Sequence, residues 1–180
     1  MSLPTPPAAD WELAWGLLEN AWRAALTQAL AGLSPAQFRA LLYMRRHPNV
    51  TVGQVAGGLG ISYPATTKLV RRLVQQGWVN RQPQPTDRRE VVVDLTEAGR
   101  RRLEQATRAR LQVLEQMLEP LGSVRQGELW RAVGELLEAA LQVLPDRQAV
   151  CLACGEEARP QDCPLLRAGM PGGVCLPICR

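Results

Sequence analysis

The stretch TVGQVAGGLGISYPATTKLVRRLVQQGWVNR, residues 51–81, decides the fold. Thr51 is of the type that caps a helix, and Val55, Ala56 and Leu59 follow at helical spacing, predicting a short helix over 51–58. Gly57, Gly58 and Gly60 stand at its end, where a tight inter-helix turn favours residues without a Cβ. Ser62 then caps a second helix, 62–76, which turns Leu69, Val70, Leu73 and Val74 inward and closes at Gly77. Two capped helices around a glycine turn form a helix-turn-helix signature. A plain amphipathic hairpin would share the periodicity, but not the coincidence of glycines, caps and a basic second helix. Ser62, Tyr63, Thr66, Thr67, Lys68, Arg71 and Arg72 occupy the start and the non-core positions of that helix. Hydroxyl, ammonium and guanidinium groups are those that bond phosphates and base edges in a major groove.

Downstream, 78–82 (WVNRQ) reads as a strand carrying Arg81, and 90–95 (EVVVDL) as its antiparallel mate. Pro83, Pro85, Thr86 and Asp87 between them are turn residues. A hairpin directly after the second helix is a wing. Its tip holds Arg88 and Arg89, side chains suited to the narrow, electronegative minor groove.

Upstream, Pro4, Pro6 and Pro7 mark residues 1–9 as a disordered lead, and Asp10 is the expected cap of a helix running to about residue 31. Trp11, Trp15, Leu18, Trp22, Leu26 and Ala29 form one stripe of it. Three tryptophans on a stripe serve core packing, an oligomer contact, or the wall of a pocket for an aromatic ligand. Trp15, Trp22 and Tyr43 are the positional candidates for that pocket. Ser34 and Pro35 open the next helix as cap and first residue, with Phe38, Leu41, Leu42 and Tyr43 along it until His47-Pro48. His47, the only histidine, is expected to act on the dipole at that helix end rather than to bind metal. Thr96 caps a long helix bearing Leu103, Ala106, Leu111, Leu114 and Met117, which Pro120 and Gly122 break. A last helix, about 123–143, is expected to bury Leu129, Val133, Leu136, Leu137, Ala140 and Leu144. These three flanking helices suit a dimer across a two-fold axis, the symmetry that palindromic operators require; a monomeric bundle is the alternative.

Charge agrees with this division. The chain has 180 residues and a net charge of +4, yet between Gly32 and Val93 nine basic side chains face only Asp87 and Glu90. A basic middle between mildly acidic flanks is the footprint of a polyanion-binding module. Arginine dominates the cations throughout, a codon bias as much as a signal. No apolar run approaches the ~20 residues of a membrane span, and no secretion signal is visible, so the expected compartment is the cytoplasm. One histidine, no paired carboxylates at catalytic spacing and no phosphate-binding glycine loop argue against an enzyme.

From Leu33 to about Leu118 the chain resembles the MarR-type regulators. The resemblance rests on LSPAQFRALLYMRRHP (33–48), the 51–81 stretch, and PTDRREVVVDLTEAGRRRL (85–103), with Asp87 and Arg89 at the family's Asp-x-Arg wing positions. It implies a dimer that represses or activates from a pseudo-palindrome and is released by a small ligand or by oxidation. It further implies that Asp87 braces the wing while Arg89 reaches the minor groove. The chain departs from the family at Arg71-Arg72, where an acid–Arg pair is usual.

All five cysteines lie in the last thirty residues: Cys151, Cys154, Cys163, Cys175 and Cys179, spaced C-x2-C-x8-C-x11-C-x3-C. Clustered thiols in a protein expected to be cytosolic point to metal or redox chemistry before structural disulfides. Four of the five would complete a tetrahedral zinc site, with Cys151–Gly155 forming the knuckle. An iron–sulfur cluster is the alternative, given Cys163-Pro164, and a redox disulfide or unligated thiols the third.

The expected protein is therefore mainly α with a small β-wing: a winged helix-turn-helix (32–95) flanked by N-terminal (10–31) and C-terminal (96–148) dimerisation helices. A lead (1–9) precedes them and a cysteine-rich tail (149–180) follows. Its expected partners are double-stranded DNA, a second copy and a small effector. The competing reading is a winged-helix protein-interaction module without a specific DNA site, which predicts weak, sequence-blind, steeply salt-dependent binding.

Overall fold

Four capped helix starts organise the chain. The structure, a computed structural model, describes residues 5–30, 32–83 and 91–143. Helix α1 (Ala8–Ala29) leads to α2 (Pro35–Arg46), strand β1 (Val50–Thr51), α3 (Val52–Leu59) and α4 (Tyr63–Gln75). Strands β2 (Val79–Pro83) and β3 (Val91–Leu95), α5 (Glu97–Leu118), a 3-10 turn (Glu119–Leu121) and α6 (Gly122–Val143) complete it. Ser34 and Thr51 each sit in a capping box, with Gln37 and Gln54 reaching back to the cap N–H. The Ser62 and Thr96 hydroxyls accept from the N–H groups of Ala65 and Gly99. Asp10 is not a cap: α1 begins two residues earlier, behind Pro7, whose extended backbone holds the cap position. Residues 8 and 9 are therefore helical rather than part of a lead.

The sheet has the order β1-β3-β2, antiparallel throughout, with Val50 opposite Val93 and Arg81 also opposite Val93 across the other edge. The core lies between α2, α3, α4, this sheet and the first half of α5. Leu41, Met44, Val55, Val70, Leu73, Val93 and Leu103 fill it. Gly60, left-handed at φ 65°, makes the turn between α3 and α4. Gly57 and Gly58 lie within α3 rather than in that turn. Gly58 is where the Tyr43 ring rests, and a Cβ there would collide with it.

The outer helices bury little within one chain. Trp11 and Trp15 are 61% and 60% exposed, and α1 has no fully buried residue. The expected burial along α6 is absent as well: Leu129, Val133 and Leu136 are exposed, and Trp130 is 74% exposed. Leu137 and Leu144 lie outside the described side chains. No described helix is long and apolar enough to cross a membrane.

Candidate nucleic-acid interface

Helix α4 sorts its residues cleanly. Thr66, Val70 and Leu73 point into the core. Pro64, Lys68, Arg71 and Gln75, at steps of four and three, form an exposed ridge, with Arg72 beside it. Tyr63, 60% exposed, stands at the N-terminal end, next to the exposed cap Ser62. Thr67 is half-buried and donates its hydroxyl to the Tyr63 carbonyl at 2.9 Å.

Thr66 is a correction to the expected contact set. It is fully buried, and its hydroxyl donates to the Ser62 carbonyl at 3.0 Å. A threonine hydroxyl can satisfy itself on the preceding turn of its own helix, which leaves its methyl free to pack inward. Gln75, by contrast, was not among the expected residues, although the four-three spacing of the ridge reaches it.

The wing is held at its root. Thr96 donates its hydroxyl to the Gly77 carbonyl at 2.7 Å and its backbone N–H to the Trp78 carbonyl at 3.0 Å. Gly99 lets α5 approach so closely that a Cβ would strike that same Trp78 carbonyl. Arg102 donates to the Leu30 carbonyl at 2.7 Å, and its guanidinium lies 5.6 Å from the Trp78 ring centre. Arg100 and Asp94 approach to 3.8 Å. These contacts tie the base of strands β2 and β3 to the start of α5. Arg81 on β2 is exposed. Asp87, Arg88 and Arg89 fall outside the described residues, as do Cys151, Cys154, Cys163, Cys175 and Cys179.

A cavity of about 870 Å³ opens between α1, α2 and α5. Trp15, Leu18 and Trp22 line it from α1, and Phe38 and Leu42 from α2. Leu111, Leu114 and Met117 line it from α5. Tyr43 does not line it, contrary to expectation: its ring turns the other way, against α3 and His47, at 4.3 Å between ring centres. Burial raises the Tyr43 phenol above its ordinary pKa. His47 ends α2, and its buried Nε2 has no partner among the described residues. Burial first, and then nearby Arg46, hold its pKa below the ordinary 6.5. At neutral pH it is therefore uncharged and does not act as a cation on the helix dipole.

A family model described as the MarR family matches residues 31–90. An uncharacterized HTH-type transcriptional regulator of Mycobacterium leprae, ML2140, is 30% identical over 131 residues, covering 73% of this chain and 90% of that protein. The chain belongs to the MarR family. The multiple antibiotic resistance protein MarR of Escherichia coli is 37% identical over 67 residues, 37% of this chain and 46% of that protein. Among solved structures, YusO of Bacillus subtilis superposes with a TM-score of 0.67 at 22% identity, over 73% of this chain and 95% of that one, a likeness of fold. The chain is thus a MarR-family transcriptional regulator, a DNA-binding protein of a family of regulators rather than enzymes.

Proposed function

We propose that the protein works as a homodimer on a pseudo-palindromic operator, most simply as a repressor, and that a small molecule in the α1–α2–α5 cavity modulates it. The ridge of Lys68, Arg71 and Gln75 is the observation that carries the DNA reading. It is an exposed, cationic helix face, opposite a packed one, on a helix whose N-terminus is open to a groove. Lys68, Arg71, Arg72 and Arg81 supply charge for phosphates, and Tyr63 and Gln75 supply groups for base edges. The wing, with Arg88 and Arg89 beyond its described strands, follows α4 directly and suits the neighbouring minor groove.

The dimer reading rests on unused apolar surface. Leu13 and Leu17 project from the side of α1 opposite its cavity face, and Trp130, Val133 and Leu136 from α6, all of them exposed. Large apolar side chains seldom stand exposed in such number along two helices unless another chain covers them. The direct test is a gel shift on the DNA upstream of its own coding sequence, with wild type and Arg89→Ala. Specific binding that the variant weakens supports the reading. Sequence-blind binding would favour the protein-interaction module instead, and unchanged affinity in the variant would remove the wing from the contact.

We also propose that four of Cys151, Cys154, Cys163, Cys175 and Cys179 hold one zinc ion. Four thiolates satisfy zinc without a histidine, and the C-x2-C pair sets two of them on one turn. Elemental analysis and an absorption spectrum of anaerobically purified protein test this. One colourless zinc per chain is expected; a brown protein would replace zinc with an iron–sulfur cluster.

A further inference from the structure

A tight turn, Gln76–Gly77–Trp78, joins α4 to the wing. Helix α4 ends there in a Schellman motif. Gly77, left-handed at φ 71°, donates its N–H to the Val74 carbonyl at 2.9 Å, and Trp78 donates to the Leu73 carbonyl at 3.0 Å. Two side chains tie this turn to the corner between α1 and α2. Gln37 Nε2 donates to Gln76 Oε1 at 3.0 Å, while Gln37 Oε1 accepts the Ser34 N–H at 2.9 Å. Arg102 Nη2 donates at 2.7 Å to the carbonyl of Leu30, the C-cap of α1, and the same guanidinium lies 5.6 Å from the Trp78 ring centre. A carbonyl left over at a helix C-terminus carries partial negative charge, which suits a guanidinium. A cap on α1 needs only the first of these two Arg102 contacts; the second is on the root of the wing.

We propose that Arg102 is a positioning residue for DNA binding, which aims the wing by holding Trp78 to the C-terminal carbonyl of α1. Helix α4 has its own anchor in Thr66, Val70 and Leu73, all buried, and Gln37 holds its end. The hairpin is held more lightly. Only Val79 of β2 is buried, and β3 pairs with β1 at two residues, Val93 and Val92. That short pairing is a hinge, and Trp78 is a second fixed point that stops the hairpin turning about it. Thr96 ties this point to the first turn of α5; Arg102, six residues further on, carries the tie across to α1. Val79–Pro83 spans about 16 Å at ~3.3 Å per residue, so a tilt of about 10° at Trp78 moves its far end by about 3 Å. A displacement of one hydrogen-bond length is enough to lose a groove contact. The inference rests on the wing contact proposed above, and names what directs it.

The test is hydrogen exchange of the free full-length protein, paired with gel shifts on the DNA upstream of its coding sequence. Arg102→Gln should speed exchange of the β2 amides about ten-fold and leave those of α4 unchanged, which also shows that the variant is folded. Its affinity for that DNA should fall about ten-fold, the worth of one hydrogen bond to a charged group. Arg102→Lys keeps a donor for the Leu30 carbonyl and should bind within about three-fold of wild type. Arg101→Gln, at an exposed neighbour paired with Glu97, should bind as wild type does. With the wing tip emptied by Arg88→Ala and Arg89→Ala, adding Arg102→Gln should cost less than about two-fold more, because a wing without its contacts has nothing left to aim. A further loss of about ten-fold in that background would make Arg102 a general stabiliser and overturn the proposal. Unchanged β2 exchange, or wild-type affinity in Arg102→Gln, would overturn it as well. Wild-type affinity in the double alanine variant would remove the wing contact itself, and with it the DNA role of Arg102; faster β2 exchange would then uphold only the tie at Trp78.

Discussion

Gly57 and Gly58 are neighbours in one helix, and alanine at the two positions should have opposite effects. In a helix interior, Gly→Ala ordinarily gains about 1 kcal/mol, because glycine loses the most backbone freedom on folding. At Gly57 nothing stands within 4 Å of a new Cβ, so Gly57→Ala should deliver that gain. At Gly58 the new methyl would enter the space of the Tyr43 ring. That ring cannot easily withdraw, because it is packed against the core and the His47 ring lies against it at 4.3 Å between centres. Overpacking of this kind costs about 1–3 kcal/mol, and a confined ring belongs near the upper end. Set against the propensity gain, Gly58→Ala should destabilise by about 1–2 kcal/mol. At about 2–4 °C per kcal/mol for a chain of this size, the melting temperature should rise by about 2–4 °C for Gly57→Ala and fall by about 2–8 °C for Gly58→Ala. Thermal melts at one fixed protein concentration read both, since dimerisation makes the midpoint depend on concentration. Adding Tyr43→Leu to Gly58→Ala should recover most of the loss, a coupling expected only of side chains in contact. Equal stabilisation by both alanines would refute the placement of Tyr43 against α3.

The buried and exposed hydroxyls of α4 separate stability from recognition. Thr66→Val should leave operator affinity within about two-fold, with a stability change of about 1 kcal/mol or less by urea unfolding. Tyr63→Ala, on the exposed end, should weaken operator binding with the melting temperature unchanged; the reverse pattern would mean that α4 is rotated about its axis. His47 governs the acid side of the stability curve. Its folded pKa is depressed below 6.5, so its contribution is complete above pH 6.5 and declines as the pH falls through the lower folded value. Urea midpoints between about pH 7.5 and 5.5 should fall for the wild type and flatten in His47→Gln, a clean comparison because no other histidine titrates there. A slope that persists in the variant would assign it to carboxylates.

Much of this molecule is legible in its local chemistry. Ser34, Thr51, Ser62 and Thr96 each announce a helix start because a short oxygen-bearing side chain satisfies an otherwise orphaned N–H, and all four do so. The wing strands follow from Val91–Leu95 and the turn residues before them. The misreadings have physical causes. Strand β1 is two residues long and exists only because Val50 and Thr51 pair with Val93 and Val92, more than forty residues away. Nothing near Val50 signals that pairing. Thr66 reads as polar by type, but its back-bond to Ser62 hides the polarity. Tyr43 shares a helix with Phe38 and Leu42, yet sits on a different face, where Gly58 makes room for it. The apolar stripe of α6 is correctly periodic and wrongly assigned to a core, since periodicity says that a face is to be buried without saying by which chain.

The cationic ridge of α4 is tested most directly by the salt dependence of operator binding. Each phosphate contact contributes about 0.9 to the slope of log affinity against log salt, and in a symmetric dimer one substitution removes two contacts. Lys68→Gln should therefore lower the slope by about 1.8. Arg101→Gln, which removes an exposed cation already paired with Glu97 on the flanking helix α5, should leave it unchanged. An unaltered slope and affinity in Lys68→Gln would contradict the placement of α4 against DNA.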